Sequence, residues 1–495
     1  MIKFLNQIPK LIRIYLLLFI GAILLYFSNG TIFFAFATWL FSIPFLFVSR
    51  REKGIYSYLV IPLIFGICSQ LSFWKFTYDS TQNFLFYIPF FAGIYYGYVF
   101  YIDRLVYLKT KGFAATLIFP LTYTSFEFIL SLFNPFGTTG LLGYTQLDFL
   151  AFSQLASLTG MWGMTFMITW FSSVVYWLFD NRFYKKNLLK GGLIYFTLLT
   201  AILTFGIVRI NLPLPNGSVK ISGIHTHDKV NEGVQMNEAI SRNDTILFKK
   251  ISSSITERII KETRAEAKKN AKIVVWSEIS TMNLDSDENI MVNIFRRLAQ
   301  EENIYLMTNP FSIGTNGAIS ENKILFFAPN GDMVLTHMKY GGNFMEGTLE
   351  GNKRIKTVAT QYGNIAAAIC WDADFSSIVR EVGKSNADIL LIPASNWKEI
   401  APLHTIVAVF RGIENGCSVV RQTRNGLSII TDPTGKIITQ LDHFSTKSWI
   451  MTGEVPNKKL WTLYPFIGDL FGWLAILGFG IMFISSQISH QRNNN

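Results

Sequence analysis

Apolar and polar positions alternate along this chain on three different scales. From residue 11 to about 209, apolar runs of roughly 20 residues recur at 11–29, 31–48, 55–74, 84–102, 113–132, 149–179 and 191–209, with another at 464–487. A run of that length in helical geometry crosses the hydrocarbon core of a bilayer, where every backbone polar group must be satisfied internally. The pattern therefore predicts a polytopic α-helical membrane bundle of about eight spans. The first run has no convincing small-residue cleavage site and another run follows at once, so it reads as a span and not as a secretory leader. The 149–179 run is longer than a span needs and predicts an interfacial segment joined to one.

Between 218 and 455 the pattern shortens. KISGI, KIVVWSE, IYLMTNP, ILFFAPNG, IAAAIC, DILLIPASN, SVVRQT and LSIITDPTG read as strands, and MVLTHM as one more. ITERIIKETRAEAKKN and ENIMVNIFRRLAQEEN carry the helical period. Strands alternating with helices predict an α/β layered domain. The expected organisation is a bundle over 1–210, a soluble domain over 218–455 and a final transmembrane helix within 461–487.

Composition agrees with this division: 50% of the residues are hydrophobic and only 16% are charged. The net charge of +11 suggests nucleic acid until its placement is considered. Lys3, Lys10 and Arg13 flank the first run, Arg50, Arg51 and Lys53 follow the second, Arg104, Lys109 and Lys111 the fourth, and Arg182, Lys185, Lys186 and Lys190 the sixth. Every second loop is basic, which is the signature of membrane topology with these loops in the cytoplasm. Counting across the runs puts Asn211, and with it the soluble domain, outside the cytoplasm. The last run then returns the HQRNNN segment to the inside. The three cysteines (Cys68, Cys370, Cys417) form no disulfide framework, and neither a zinc spacing nor a phosphate-binding glycine loop is present.

Candidate chemistry lies at strand ends. Cys370 closes NIAAAIC, Glu278 closes KIVVWSE, and Lys339 follows MVLTHM. A thiol with an ordinary pKa of about 8.5 is mostly protonated at neutral pH and needs a base and a nearby cation to act as a nucleophile. Glu278 can take its proton, and Lys339 can stabilise both the thiolate and an oxyanion. Taken singly, Glu278 also suits a structural ion pair and Cys370 a packed thiol. Glu127, inside the fifth run, suits a functional carboxylate or a polar contact of the bundle. Gly143, Tyr144 and Gln146 read as an outer loop, either an ordinary turn or part of a lipid entrance. HTHD (225–228) sets two histidines on one face of a strand, but no third metal ligand accompanies them.

The order and settings of Glu278, Lys339 and Cys370 resemble those of the nitrilase superfamily. FRGIENGCSVVRQTRNGLSIITDPTG (410–435) and ADILLIPASNW resemble further segments of it. GLLGYTQLDFLAFSQLASLTGMWGMTFM (140–167) and TLYPFIGDLFGW (462–473) are similar to the corresponding stretches of apolipoprotein N-acyltransferases. That family joins eight spans to an extracytoplasmic nitrilase-like α/β sandwich. The resemblance implies Cys370 as acylated nucleophile, Glu278 as general base and Lys339 as oxyanion partner. Glu346, Trp371, Asn396 and Trp397 would position lysine or substrate. It implies a phospholipid acyl donor, a diacylated lipoprotein acceptor, a bacterial inner-membrane location, a monomer, and no cofactor, metal or nucleic acid. This sequence departs from the family pattern at WSE (276–278), at YGGNFMEG after Lys339, at Trp371 and Asp372, where an aromatic residue and glutamate are usual, and at SNWKEI (395–400). A membrane-anchored amidase or hydrolase, and an inert binding scaffold, stand as alternatives at this point.

Overall fold

In the computed structural model, residues 9–28, 32–74, 86–181, 185–213, 217–225 and 232–494 are described. The chain forms two compact units, one of Met1–Asn134, Gly140–Asn211 and Ile467–Asn495, the other of Pro135–Thr139 and Leu212–Phe466.

The first unit is helical. Among the described residues, four helices are long and apolar enough to cross a membrane: Phe113–Phe133, Ala156–Asp180, Gly191–Ile210 and Leu470–Ile488. The run at 31–48 is divided into Ala35–Leu40 and Ser42–Arg51, and the run at 55–74 forms the shorter apolar helix Tyr56–Ser72. The long run at 149–179 is a one-turn helix, Leu150–Ser153, followed by Ala156–Asp180, which kinks at Gly160 (φ 62°). A glycine is what such a left-handed kink requires.

Polar groups inside this unit are paired. Arg50, one of the basic residues after the second run, is buried and donates to both oxygens of Asp103 at 2.8 Å while lying over the Tyr107 ring. Glu127 accepts from Leu142 N at 2.9 Å and from Thr165 Oγ1, so it joins two helices through the turn between them. Gly143, Tyr144 and Gln146 are buried in the 3₁₀ turn Leu142–Gln146, where the Gln146 amide oxygen accepts from Trp39 Nε1 at 2.8 Å. They pack within the unit and do not form an open loop.

The second unit is a sandwich of two sheets. Its strands are β1 Ser218–Ile224, β2 Ile273–Trp276, β3 Thr281–Leu284, β4 Tyr305–Thr308, β5 Pro310–Ile313, β6 Glu321–Phe327, β7 Met333–Met338, β8 Thr357–Thr360, β9 Gly363–Ala367, β10 Ile389–Ser395, β11 Ser418–Arg424, β12 Leu427–Thr431, β13 Ile437–Asp442 and β14 Ile450–Pro456. One sheet runs β14-β1-β2-β4-β6-β5-β3 with β7 hydrogen-bonded to β6, and the other runs β13-β12-β11-β10-β9-β8. Within them β1, β2 and β4 are parallel, as are β9, β10 and β11.

The alternation of side chains along each strand explains the layering. Ile273 and Val275 of β2 meet Ile365, Ala367, Leu391 and Val420 of the opposite sheet, while Val274 and Trp276 face helices Thr245–Lys268 and Glu288–Glu302 through Ile259, Phe295 and Leu298. On the other side Leu390 and Ile392 pack on helices Ser376–Lys384 and Ala401–Asn415. Strands buried on both faces read as the continuous apolar runs seen in the sequence. In such sheets, polar groups carried past the carboxyl ends of parallel strands converge at a crevice. Glu278, Cys370 and Ser395 stand at the ends of β2, β9 and β10.

Candidate active site

Cys370 follows the last apolar residues after β9 and opens a 3₁₀ turn, Cys370–Asp374. Its φ is 44°, the left-handed region that a side chain adopts only when its surroundings enforce it. The turn is enforced by Asp372, whose Oδ2 accepts from Ile369 N at 2.9 Å, the reciprocal half of a helix cap.

Glu278 is buried and takes three donors. Oε1 accepts from Lys339 Nζ at 2.7 Å and from Asn322 Nδ2 at 2.9 Å, and Oε2 accepts from Ser395 N at 2.7 Å. The Ser395 carbonyl accepts from Cys370 Sγ at 3.4 Å, so one backbone residue at the end of β10 links acid and thiol. Lys339 Nζ also contacts Glu346 Oε1, and Asn322 Nδ2 donates to Glu346 Oε2 at 3.3 Å. The resulting cluster holds one ammonium between two carboxylates.

Burial pushes the Cys370 thiol up to about 12, and the Glu278 charge adds to this against Lys339 and Arg421. Burial by itself lowers the Lys339 ammonium, but the charges of Glu278, Cys370 and Glu346 prevail and raise it, so it stays protonated. Burial raises the Glu346 carboxyl against the pull of Lys339. The resting site thus holds a protonated thiol beside a permanent cation and a hydrogen-bonded carboxylate, an arrangement fit for proton removal during attack.

Further residues predicted from sequence fall around this centre. Trp371 is buried, and its ring stacks on Phe136 at 5.2 Å between centroids. Asn396 Oδ1 accepts from Arg421 Nη2 at 3.0 Å, while Arg421 Nη1 donates to the Cys370 carbonyl at 3.4 Å. Trp397 is 37% exposed, at the turn where its carbonyl accepts from Ile400 N and Ala401 N. Of the HTHD pair, His225 is hydrogen-bonded through Nδ1 to Ser277 Oγ at 2.9 Å, whereas 226–228 lie outside the described residues. No group of three or more possible metal ligands occurs among the described residues.

Sequence reasoning missed several groups. Asn322 and Arg421 lie inside ordinary strand patterns that carry no signal of a site. Pro135–Thr139 sits in sequence between apolar helices, yet belongs to the sandwich unit, where Thr138 donates from N and Oγ1 to the Asp374 carbonyl at 2.9 and 2.8 Å. A Cβ on Gly137 (φ +58°) would stand 2.4 Å from that same oxygen, so the approach requires glycine.

Asp374 was also missed. It is buried with His404 Nε2 at 3.5 Å from its Oδ2, and burial pushes its carboxyl up to about 7 despite the nearby arginines. An acid whose folded pKa exceeds the unfolded value of about 3.9 contributes stability at low pH that is lost as pH rises toward the folded pKa. Asp374→Asn should therefore raise the thermal midpoint of the full chain at pH 8, by at most about 4 kcal/mol of stability, and less at pH 5. Melting curves across that range check this, and a gain independent of pH would contradict it.

Residues 234–460 match the carbon-nitrogen hydrolase family, and residues 21–174 match the apolipoprotein N-acyltransferase N-terminal domain. The apolipoprotein N-acyltransferase of Geobacter metallireducens is 22% identical over 419 residues, covering 77% of each chain. That of Borreliella burgdorferi is 25% identical over 455 residues, covering 81% of this chain and 82% of its own. Among solved structures, an amidase from Nesterenkonia sp. aligns at 14% identity and a TM-score of 0.38, covering 50% of this chain and 93% of that one. The chain thus joins a region that matches the N-terminal domain of apolipoprotein N-acyltransferases to a carbon-nitrogen hydrolase domain, and it is similar over most of its length to proteins of that name.

Proposed function

We propose that this chain transfers an acyl chain from a phospholipid to the N-terminal amine of a diacylglyceryl-cysteine lipoprotein, through a thioester on Cys370. The observation that carries this reading is the buried Glu278–Lys339–Cys370 cluster in a chain that also matches the N-acyltransferase helical domain. In the first half-reaction Glu278 takes the thiol proton as Sγ attacks the ester carbonyl. Lys339 stabilises the oxyanion, and the departing lysophospholipid oxygen takes the proton from Glu278. In the second, the acceptor amine attacks the thioester, Glu278 takes its proton, and the proton returns to the Cys370 sulfur. The amine has an ordinary pKa near 8, so a useful fraction is already nucleophilic at neutral pH. Such ping-pong order needs no cofactor.

The same reading assigns 1–210 and 461–487 to a bundle of about eight spans in a bacterial inner membrane. It assigns 218–455 to the extracytoplasmic side, with the chain acting as a monomer. The alternation of basic loops supports that orientation. Glu346, Trp371 and Asn396 serve as positioning residues, and Trp397 belongs at the solvent-facing margin.

Incubating the full chain with isotopically labelled phospholipid, without acceptor, should give a Cys370 peptide heavier by one acyl group. Adding a diacylated lipopeptide should discharge it as a triacylated product. No adduct with any phospholipid would overturn the proposal, and release of free fatty acid alone would make the protein a hydrolase.

A further inference from the structure

The four donors to Asp372 are distributed in a way that concerns Lys339. Oδ1 accepts from Tyr340 N at 2.8 Å and Gly341 N at 2.7 Å, and Oδ2 accepts from Ile369 N at 2.9 Å and His337 Nε2 at 2.7 Å. Asp372 is buried, which by itself raises its carboxyl. The bond and charge of His337 and the amides of Gly341 and Ile369 outweigh that and hold it below the usual carboxylate range. It is thus an anion that can only accept, and His337 presents Nε2–H to it.

Three of the donors are backbone groups, and His337 supplies the side chain. It lies two residues before Lys339 on β7, and the period of a strand puts both on one face. The burial of Leu335, His337 and Lys339 against the exposed Thr336 and half-buried Met338 shows that face turned inward. β7 is hydrogen-bonded to β6, off the main path of its sheet, and its ladder is irregular between Phe326 and Phe327. That irregularity lies at the start of β7; from Leu335 to Met338 the strand is in register with β6, and Lys339 N continues the ladder to the Asn322 carbonyl at 2.9 Å. To this ladder Asp372 adds contacts on both sides of the lysine: His337 before it, Tyr340 and Gly341 after it. The same carboxylate grips Ile369, immediately before Cys370. Gly341 lets the two segments close, since a Cβ there would stand 2.8 Å from the Trp371 carbonyl carbon.

We propose that His337 is a positioning residue for acyl transfer: through its hydrogen bond to Asp372 it sets the Lys339 ammonium against the Cys370 sulfur. This rests on the reading of Lys339 and Cys370 as the acting groups. What places Lys339 is the His337 donor at a particular reach; its volume, and the charge that acts on the Asp372 carboxyl, do not set that geometry. A glutamine amide extends to about where the imidazole Nε2 stands, and methionine keeps the bulk without the donor.

The test is the single-turnover rate of Cys370 acylation by labelled phospholipid, with its half-saturating donor concentration, in the full chain. His337→Gln should stay within about threefold of the unsubstituted protein. His337→Met should lose about tenfold or more in maximal rate with half-saturation unchanged, because donor binding does not use this bond. If His337→Met does not fold, His337→Asn takes its place, since its amide stops short at the position of Nδ1 and should behave as Met does. Equal losses in the Gln and Met or Asn variants, or no loss in the latter, would overturn the proposal while leaving the thioester intact. Absence of an adduct in the unsubstituted protein would instead overturn the proposed function.

Discussion

Glu278→Gln should slow acylation of Cys370 by about a thousandfold or more, with little change in affinity for the donor lipid. The reason is the depth of the thiol. With its pKa pushed up to about 12, the thiolate fraction at neutral pH is on the order of 10⁻⁵. Attack therefore depends on a base that removes the proton in the same step. A glutamine cannot do so, and it also fits the pocket poorly. Glu278 accepts on both oxygens, from Lys339 and Asn322 on one and from Ser395 N on the other, so an amide NH₂ turned either way meets a donor. The residual rate should rise about tenfold per pH unit, because the variant reacts only through preformed thiolate. Mass spectrometry of the Cys370 peptide after single turnover reads both quantities. A variant within tenfold of the unsubstituted protein, or a residual rate flat with pH, would remove Glu278 from the role of base.

Lys339→Met should be inactive and less stable, which separates it from the Glu278 variant. Loss of one oxyanion partner costs typically 10²–10³ in rate. Removal of a buried cation also leaves Glu278 and Glu346 facing each other across Asn322, and breaking a buried ion pair from one side costs about 3–5 kcal/mol. Part of that cost disappears when a carboxylate takes up a proton. The Glu346 carboxyl, already raised by burial, rises further without its partner, so the variant should be least unstable at low pH and weaken as pH rises. Lys339→Arg should not restore the rate, since a planar fork does not fit a site built around a point charge. Thermal melts at pH 5 and pH 8, with the same acylation assay, decide this. A Lys339→Met protein as stable as the unsubstituted one would mean that the ion pair is not closed in solution.

The limits of the sequence can be seen residue by residue. β2, β9 and β10 were legible because strands buried on both faces must be continuously apolar, and the first polar residue after each run marks where the strand leaves the core. That is why Glu278 and Cys370 stood out. Asn322 did not, since an asparagine among the alternating residues of β6 looks like a solvent-facing position. Ser395 contributes only backbone groups, which have no sequence signature. His337 had a signal in its spacing of two from Lys339, but its meaning depends on Asp372, in the turn that follows β9 of the other sheet. The partner of Arg50 was hidden for a related reason: a basic residue at the end of an apolar run marks a basic loop, and nothing local pairs it with Asp103.

Local physical chemistry, then, determined the division of this chain: the length of its apolar runs, the charge of the loops between them, and the period of side chains along each segment. These are properties of neighbours in sequence, and they are readable without folding the chain. Only the tertiary structure decided which groups meet. Glu278, Asn322, Lys339, Glu346, Cys370 and Ser395 come from distant segments, and a hydrogen bond between them depends on register and strand order across the sandwich. The same is true of Asp372, where one buried carboxylate collects four donors and so aligns lysine with thiol. A carboxylate can be that selective because burial removes water as the competing donor.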